Sequence, residues 1–249
     1  MSKRARFPWG LTIASLIVFV LLISLGVWQV ERLRWKEGLI AESAAAAEIP
    51  PAPLAEVERA GLPEFRKVTL DCPGLAGAPY VELQSIDPDG QPGVRLISAC
   101  GRSGGRTYLV DRGFVPETVS ARPAEVFSTT PVTVTAEVRR APSANVMAAV
   151  AEGRHFYARD NRAMAETLRV SGEVAPETLF ALTSSNPEWA ALTPSAPPAA
   201  FSNNHLGYAL TWFGLALALA GAYVALLRRK LSPRTASLRE PGDRAKERS

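Results

Sequence analysis

The sequence predicts an α+β membrane protein in which two transmembrane helices flank a β-rich, mostly antiparallel exported domain. Three observations lead there. Two runs carry no charged residue: "FPWGLTIASLIVFVLLISLGVWQV", Phe7 to Val30, and a second from Leu206 to Leu227. Each is long enough to cross the ~30 Å hydrocarbon core of a bilayer as a helix. Between them stand short β-branched and aromatic runs separated by turn residues, the pattern of a sheet domain. Cations gather at the far ends of both runs, with Lys3, Arg4 and Arg6 before the first and Arg228, Arg229 and Lys230 after the second.

Residues 1–6 form a cytoplasmic N-terminus and residues 7–30 the first span. A cleaved signal peptide has an apolar region of only ~7–15 residues and a small-residue cleavage site. Here the run is longer and passes into "GVWQVERLRW" without such a site, so it reads as an uncleaved signal anchor. The first six residues carry +3 and residues 228–249, with eight cations and three acids, carry +5; the overall +4 leaves −4 for residues 31–203. Cations close to spans mark the cytoplasmic side. Arg32, Arg34 and Lys36 compete at the outer end of the first span, but the two basic termini together outweigh them. Both termini are therefore expected in the cytoplasm, with residues 31–203 exported to the periplasmic side of a bacterial inner membrane. The positive balance then points to anionic lipid and away from nucleic acid.

"ERLRWKEGLIAESAAAAE" continues the first helix beyond the apolar stretch until Pro50, Pro51 and Pro53 of "IPPAP" break it. Strands are then expected at "FRKVTL" (65–70), "YVEL" (80–83), "VRLISA" (94–99), "TYLVDRGFV" (107–115), "VTVTAEVRR" (132–140) and "TLFALT" (178–183), divided by turn clusters such as "DPDGQPG" and "GRSGG". One helix interrupts them at "DNRAMAETLRV", capped by Asp160 or Asn161. The proline-rich "SSNPEWAALTPSAPPAAFSNN" leads back to the second span at residues 204–227, and residues 228–249 are a basic cytoplasmic tail. In an oxidising compartment Cys72 and Cys100 are free to pair, or to remain two buried thiols; both readings stay open. Two cysteines with His155 and His205 far apart do not make a zinc site.

"GRSGG", 101–105, formally matches the nucleophile elbow, but the serine must be followed by a helix and here a strand follows. Ser103, with Asp160 and either His155 or His205 as partners, is thus rejected as a hydrolase centre, and with no acid/base pair or phosphate loop elsewhere no enzyme is expected. In "DRGFVP", Gly113 suggests a bulge or a close backbone approach and Pro116 the end of the strand. Arg112 is either a cation for a carboxylate or propionate group or an ordinary solvated or ion-paired strand arginine.

At about 100° per residue, Gly207, Thr211, Gly214, Ala218, Gly221 and Ala225 line one side of the second span. Such a stripe packs against a neighbouring helix, either the first span or a partner protein. His205, Tyr208, Trp212 and Tyr223 share the opposite side. They form either an interfacial aromatic belt or the lining of a cofactor site in which His205 is an axial haem ligand. Asn203 and Asn204 cap the helix in both cases.

Three blocks, "LGVWQVERLRWKEGLI" (25–40), "LVDRGFVP" (109–116) and "NNHLGYALTWFGLA" (203–216), in this order and with two spans, resemble the surfeit locus protein 1 family of cytochrome c oxidase assembly factors. "HFYARD" (155–160) is a fainter match, while Asp71, Cys72 and Ser202 depart from the family pattern. The resemblance implies a non-enzymatic role in bringing haem a to the catalytic subunit of a haem-copper oxidase, with that subunit, haem a synthase and membrane lipid as partners. It implies His205 as the haem iron ligand, Tyr208 and Trp212 as walls of the macrocycle and Arg112 as a partner for its propionates. The alternative is a membrane scaffold that stabilises the nascent oxidase subunit without binding haem.

Overall fold

The computed structural model describes residues 7–101, 105–140, 149–196 and 203–231, so Ser103, Ser202 and most of the basic tail lie outside the described residues. The chain divides into two compact units, Met1–Lys36 with Ser202–Ser249, and Glu37–Phe201.

Helix α1, Trp9–Ala47, begins where Thr12 donates both its N–H and its hydroxyl to the carbonyl of Pro8, at 3.0 and 3.1 Å. Its 39 residues extend about 58 Å at ~1.5 Å per residue, well beyond a ~30 Å apolar layer, so the charged "ERLRWKEG" stretch continues the same helix as expected. The prolines after Ile49 end it, since they supply no N–H for a further turn.

The unit Glu37–Phe201 is built on a single eight-stranded sheet. Its elements are β1 (Ala52–Pro53), α2 (Leu54–Arg59), β2 (Lys67–Pro73), β3 (Tyr80–Ile86), β4 (Pro92–Cys100), β5 (Thr107–Pro116), β6 (Pro131–Arg140), β7 (His155–Phe156), α3 (Asn161–Thr167) and β8 (Val174–Ala181). The strand order is β1-β2-β6-β8-β5-β4-β3-β7. All six expected strands form, as does the helix, whose N-cap is Asp160: its Oδ1 accepts from the N–H groups of Arg162 and Ala163 at 3.1 and 3.0 Å.

The expectation of a mostly antiparallel sheet is corrected: the sheet is mixed, with β1–β2, β3–β7 and β5–β8 parallel and β2–β6, β3–β4, β4–β5 and β6–β8 antiparallel. The cause lies in the connections. After α3 the chain re-enters the sheet as β8, between β6 and β5, and a strand reached by a crossover is free to run parallel to its neighbour in a way that hairpins forbid. Strand β5 shows the result. It is buried along nearly its whole length, like a strand covered on both faces.

Alternate residues of β5 feed separate cores. Tyr108 and Val110 join Val68, Leu70, Val134 and Leu179 on one face; Leu109 joins Val81, Ile97, Phe156 and Met164 on the other, where α3 lies over the sheet. Cys72 and Cys100 are paired across the first core, with Cα atoms 5.6 Å apart and a sequence separation of 28. Closing a loop of that length removes conformations from the unfolded chain equivalent to about 3.5 kcal/mol. Reduction should therefore lower the urea midpoint of the full-length protein in detergent, followed by the fluorescence of Trp189; an unchanged midpoint would refute this contribution.

Helix α4, His205–Leu231, pairs with α1. Three contacts fix the antiparallel arrangement: Gln29 with His205, Gly26 with Phe213, and Thr12 with Tyr223, whose hydroxyls are 2.8 Å apart. The inward positions step by three and four residues: Thr12, Ser15, Phe19, Leu22, Gly26 and Gln29 on α1, and His205, Ala209, Trp212, Ala216, Leu219 and Tyr223 on α4. That ~3.5-residue repeat is the seam of a left-handed antiparallel pair. Both helices are long and apolar enough to cross a membrane.

Candidate functional site

The unusual feature of this helix pair is its polar end. Gln29 is the one amide in an otherwise apolar stretch of α1, and it is only 9% exposed. Its Oε1 sits 2.7 Å from Nδ1 of His205, the first residue of α4. Three residues before Gln29 on α1, the ring of Phe213 occupies the space above Gly26, where a Cβ would come within 2.6 Å of it. The helices thus touch closely at Gly26, and that contact holds the two polar side chains together at the mouth of the seam.

His205 and Trp212 lie half-buried on the face of α4 that meets α1, together with Tyr223 at the other end. Tyr208 falls on the adjoining face and is 57% exposed. With Asn203, Asn204, Gly207 and Thr211 it lines an open groove of about 480 Å³. Asn204 supports the helix start through its backbone carbonyl, which accepts the Tyr208 N–H at 3.3 Å. The expected side-chain cap from Asn203 is not made: its Oδ1 is buried and has no partner among the described residues.

The small-residue stripe does not face α1. An added Cβ on Gly207, Gly214 or Gly221 would meet nothing within 4 Å, so this side of α4 is open. Of the two partners expected for the stripe, the first span is excluded. The face that carries His205 also carries Ala209 and Ala216, 2% and 1% exposed, and it is these small residues that admit α1.

Arg112 is neither a surface cation nor an ion-paired one, and its reading as a propionate partner is corrected. Opposite β4, Leu96 pairs with Gly113 and Ile97 with Asp111, leaving Arg112 as the extra residue of a β-bulge. Gly113 allows it with φ 135°, at a point where a Cβ would collide with the carbonyl of Thr193, whose backbone pairs with Phe114. The side chain of Arg112 is wholly buried, and all five of its N–H donors are engaged. Nε donates to Ser185 Oγ at 3.0 Å, one terminal nitrogen to Ser98 Oγ at 3.2 Å and Ala78 O at 3.4 Å, the other to Ala76 O at 2.9 Å and Asn186 Oδ1 at 2.5 Å. No donor is left to offer a carboxylate. Burial among neutral groups brings its pKa down to about 10, still high enough to keep the guanidinium charged at neutral pH.

Its neighbour Asp111, also fully buried, accepts from Arg95 Nε at 2.8 Å and from Arg159 at 2.7 Å, and its other oxygen accepts the N–H of Gly113 at 3.3 Å. The "DRG" triplet is thus a structural knot with a buried charge on each side. Sequence reading missed Gln29, Asp111 and the Ser98–Ser185–Asn186 acceptors. Gln29 alone carried a signal, as a polar residue in an uncharged span.

The donor set at the helix mouth suits a haem iron. It offers a single imidazole whose Nε2 has no partner among the described residues, with Trp212 about two helical turns further along the same face of α4. Among the described residues no group of three or more His, Cys, Asp or Glu is arranged around a metal position.

The sequence pattern of the SURF1 family matches residues 16–217, the greater part of the chain, including α1 from its second turn and half of α4. A SURF1-like protein of Rickettsia felis is 28% identical over 233 residues, covering 87% of this chain and 96% of the relative. Surfeit locus protein 1 of Homo sapiens is 29% identical over 230 residues, 82% and 73% of the two chains, and that of Gallus gallus 27% over 248 residues, 87% and 74%.

Proposed function

Because the chain belongs to the SURF1 family, we propose that it is an assembly factor for cytochrome c oxidase that binds or positions haem a for insertion into the oxidase catalytic subunit. The observation that carries the haem reading is the availability of His205 Nε2 at the mouth of the helix pair, with Nδ1 already engaged by Gln29. Bound there, haem a would supply an iron that takes an axial nitrogen. His205 would give that nitrogen, and Trp212 and Tyr208 the flat surfaces beside it. The protein itself has no reaction to catalyse in this role. Its partners are the catalytic subunit, haem a synthase as the source of cofactor, and lipid.

The helix pair sits in a bacterial inner membrane with both termini cytoplasmic, and the sheet domain is exported. Support for this orientation comes from the cations at residues 1–6 and 228–249 and from the Cys72–Cys100 disulfide, which persists in an oxidising compartment.

The open Gly207–Gly214–Gly221 face favours a second reading, a scaffold that docks a helix of the nascent oxidase subunit without touching haem. Complementation of a deletion strain separates the two. His205→Ala is expected to leave membranes depleted of a-type haem absorbance and oxidase activity, although the variant protein accumulates normally. Full restoration by His205→Ala together with failure of Gly214→Leu would replace haem handling by the scaffold.

A further inference from the structure

We infer that Gln29 is a positioning residue that selects the tautomer of His205 and thereby makes Nε2 the iron-binding atom; this rests on the haem reading above. The amide oxygen of Gln29 lies 2.7 Å from Nδ1 of His205. An oxygen accepts only, so at neutral charge the ring proton must sit on Nδ1, and the lone pair is then on Nε2. In the opposite arrangement, with the Gln29 amide N–H donating to Nδ1, the proton would move to Nε2 and block coordination there.

A histidine side chain free in water populates both neutral tautomers and several rotamers. Here Gln29 is buried and comes from the other helix, so the hydrogen bond fixes ring orientation and protonation together. The close passage at Gly26, seated under Phe213, keeps the two residues within reach.

The test uses full-length protein in detergent, with wild type, Gln29→Leu, Gln29→Glu and His205→Ala. Side-chain ¹⁵N spectra of haem-free wild type should show His205 protonated at Nδ1; protonation at Nε2 overturns the inference by itself, whatever the variants do. Gln29→Glu keeps an acceptor and should keep that tautomer, whereas Gln29→Leu should shift the population toward Nε2–H. With added haem a, Gln29→Leu should bind about 10–100-fold more weakly, the usual cost of losing a residue that orients a metal ligand. It should also change the midpoint potential of the bound haem, and Gln29→Glu should restore the affinity. If Gln29→Leu leaves affinity and potential at wild-type values while His205→Ala abolishes binding, His205 remains the ligand and the role of Gln29 is refuted. If His205→Ala binds as wild type does, the underlying haem reading fails.

Discussion

Arg112→Ala is expected to destabilise the sheet domain by about 5 kcal/mol, comparable to the whole stability of many domains. The side chain that disappears satisfies two backbone carbonyls, two hydroxyls and an amide oxygen in a place water does not reach. Its loss opens a cavity and removes a donor from every one of those acceptors; Ala76 O keeps the Asn186 amide and Asn186 Oδ1 keeps the Ser185 hydroxyl, and each acceptor left unpaired costs ~1–3 kcal/mol before relaxation. Lysine is no substitute. Its ammonium has three donors on one atom, whereas the acceptors here are spread around a planar guanidinium, so Arg112→Lys should recover only a small part of the loss. Limited proteolysis and thermal unfolding of the full-length protein measure this. A surface cation used for ligand binding would behave in the opposite way, with Arg112→Ala melting like wild type.

Asp111→Asn should cost about 3–5 kcal/mol, the range found when one member of a buried charged group is neutralised. The substitution changes almost no volume, so the loss reads out charge. Arg95 and Arg159, whose side chains are 11% and 10% exposed, would face each other across an amide, with the ring of Phe180 within cation–π range of both and Arg95 still donating to Ser195. The carboxylate also accepts the Gly113 N–H, so the bulge that places Arg112 loosens with it. The two substitutions are therefore not independent, and the double variant should lose less than the sum of the single losses. Strict additivity in denaturation of the four proteins would contradict a shared network.

Much of this architecture was readable in the sequence because single residues enforced it. Uncharged length set both long helices, Pro50 and Pro51 set the end of the first, Asp160 capped α3, and Gly113 marked the bulge. Strand direction was not readable. Nothing in "TLFALT" states that β8 will run parallel to β5, because that is decided by where α3 returns the chain. The two-residue strands β1 and β7 were equally hidden, since each is held by pairing to a distant neighbour rather than by its own composition.

The site divides along the same line. Placing His205 and Trp212 on a common helix face needed only helical periodicity, and the structure keeps them together on the face toward α1. Which side of α4 that helix would cover depended on the fit of Ala209, Ala216 and Phe213 to Gly26, a tertiary property. Arg112 misled because a charged residue in a strand suggests solvent or a ligand. Its actual partners, Ala76, Ser98 and Asn186, come from segments far apart in the chain.

The claim on which the functional account turns is that His205 donates Nε2 to a haem iron. The most direct measurement is a titration of purified full-length protein with haem a, followed in the Soret region for wild type and His205→Ala. Saturable binding with the absorption of a histidine-ligated haem in wild type, lost or shifted in the variant, is the predicted result. Superimposable titrations and spectra for the two proteins would contradict it.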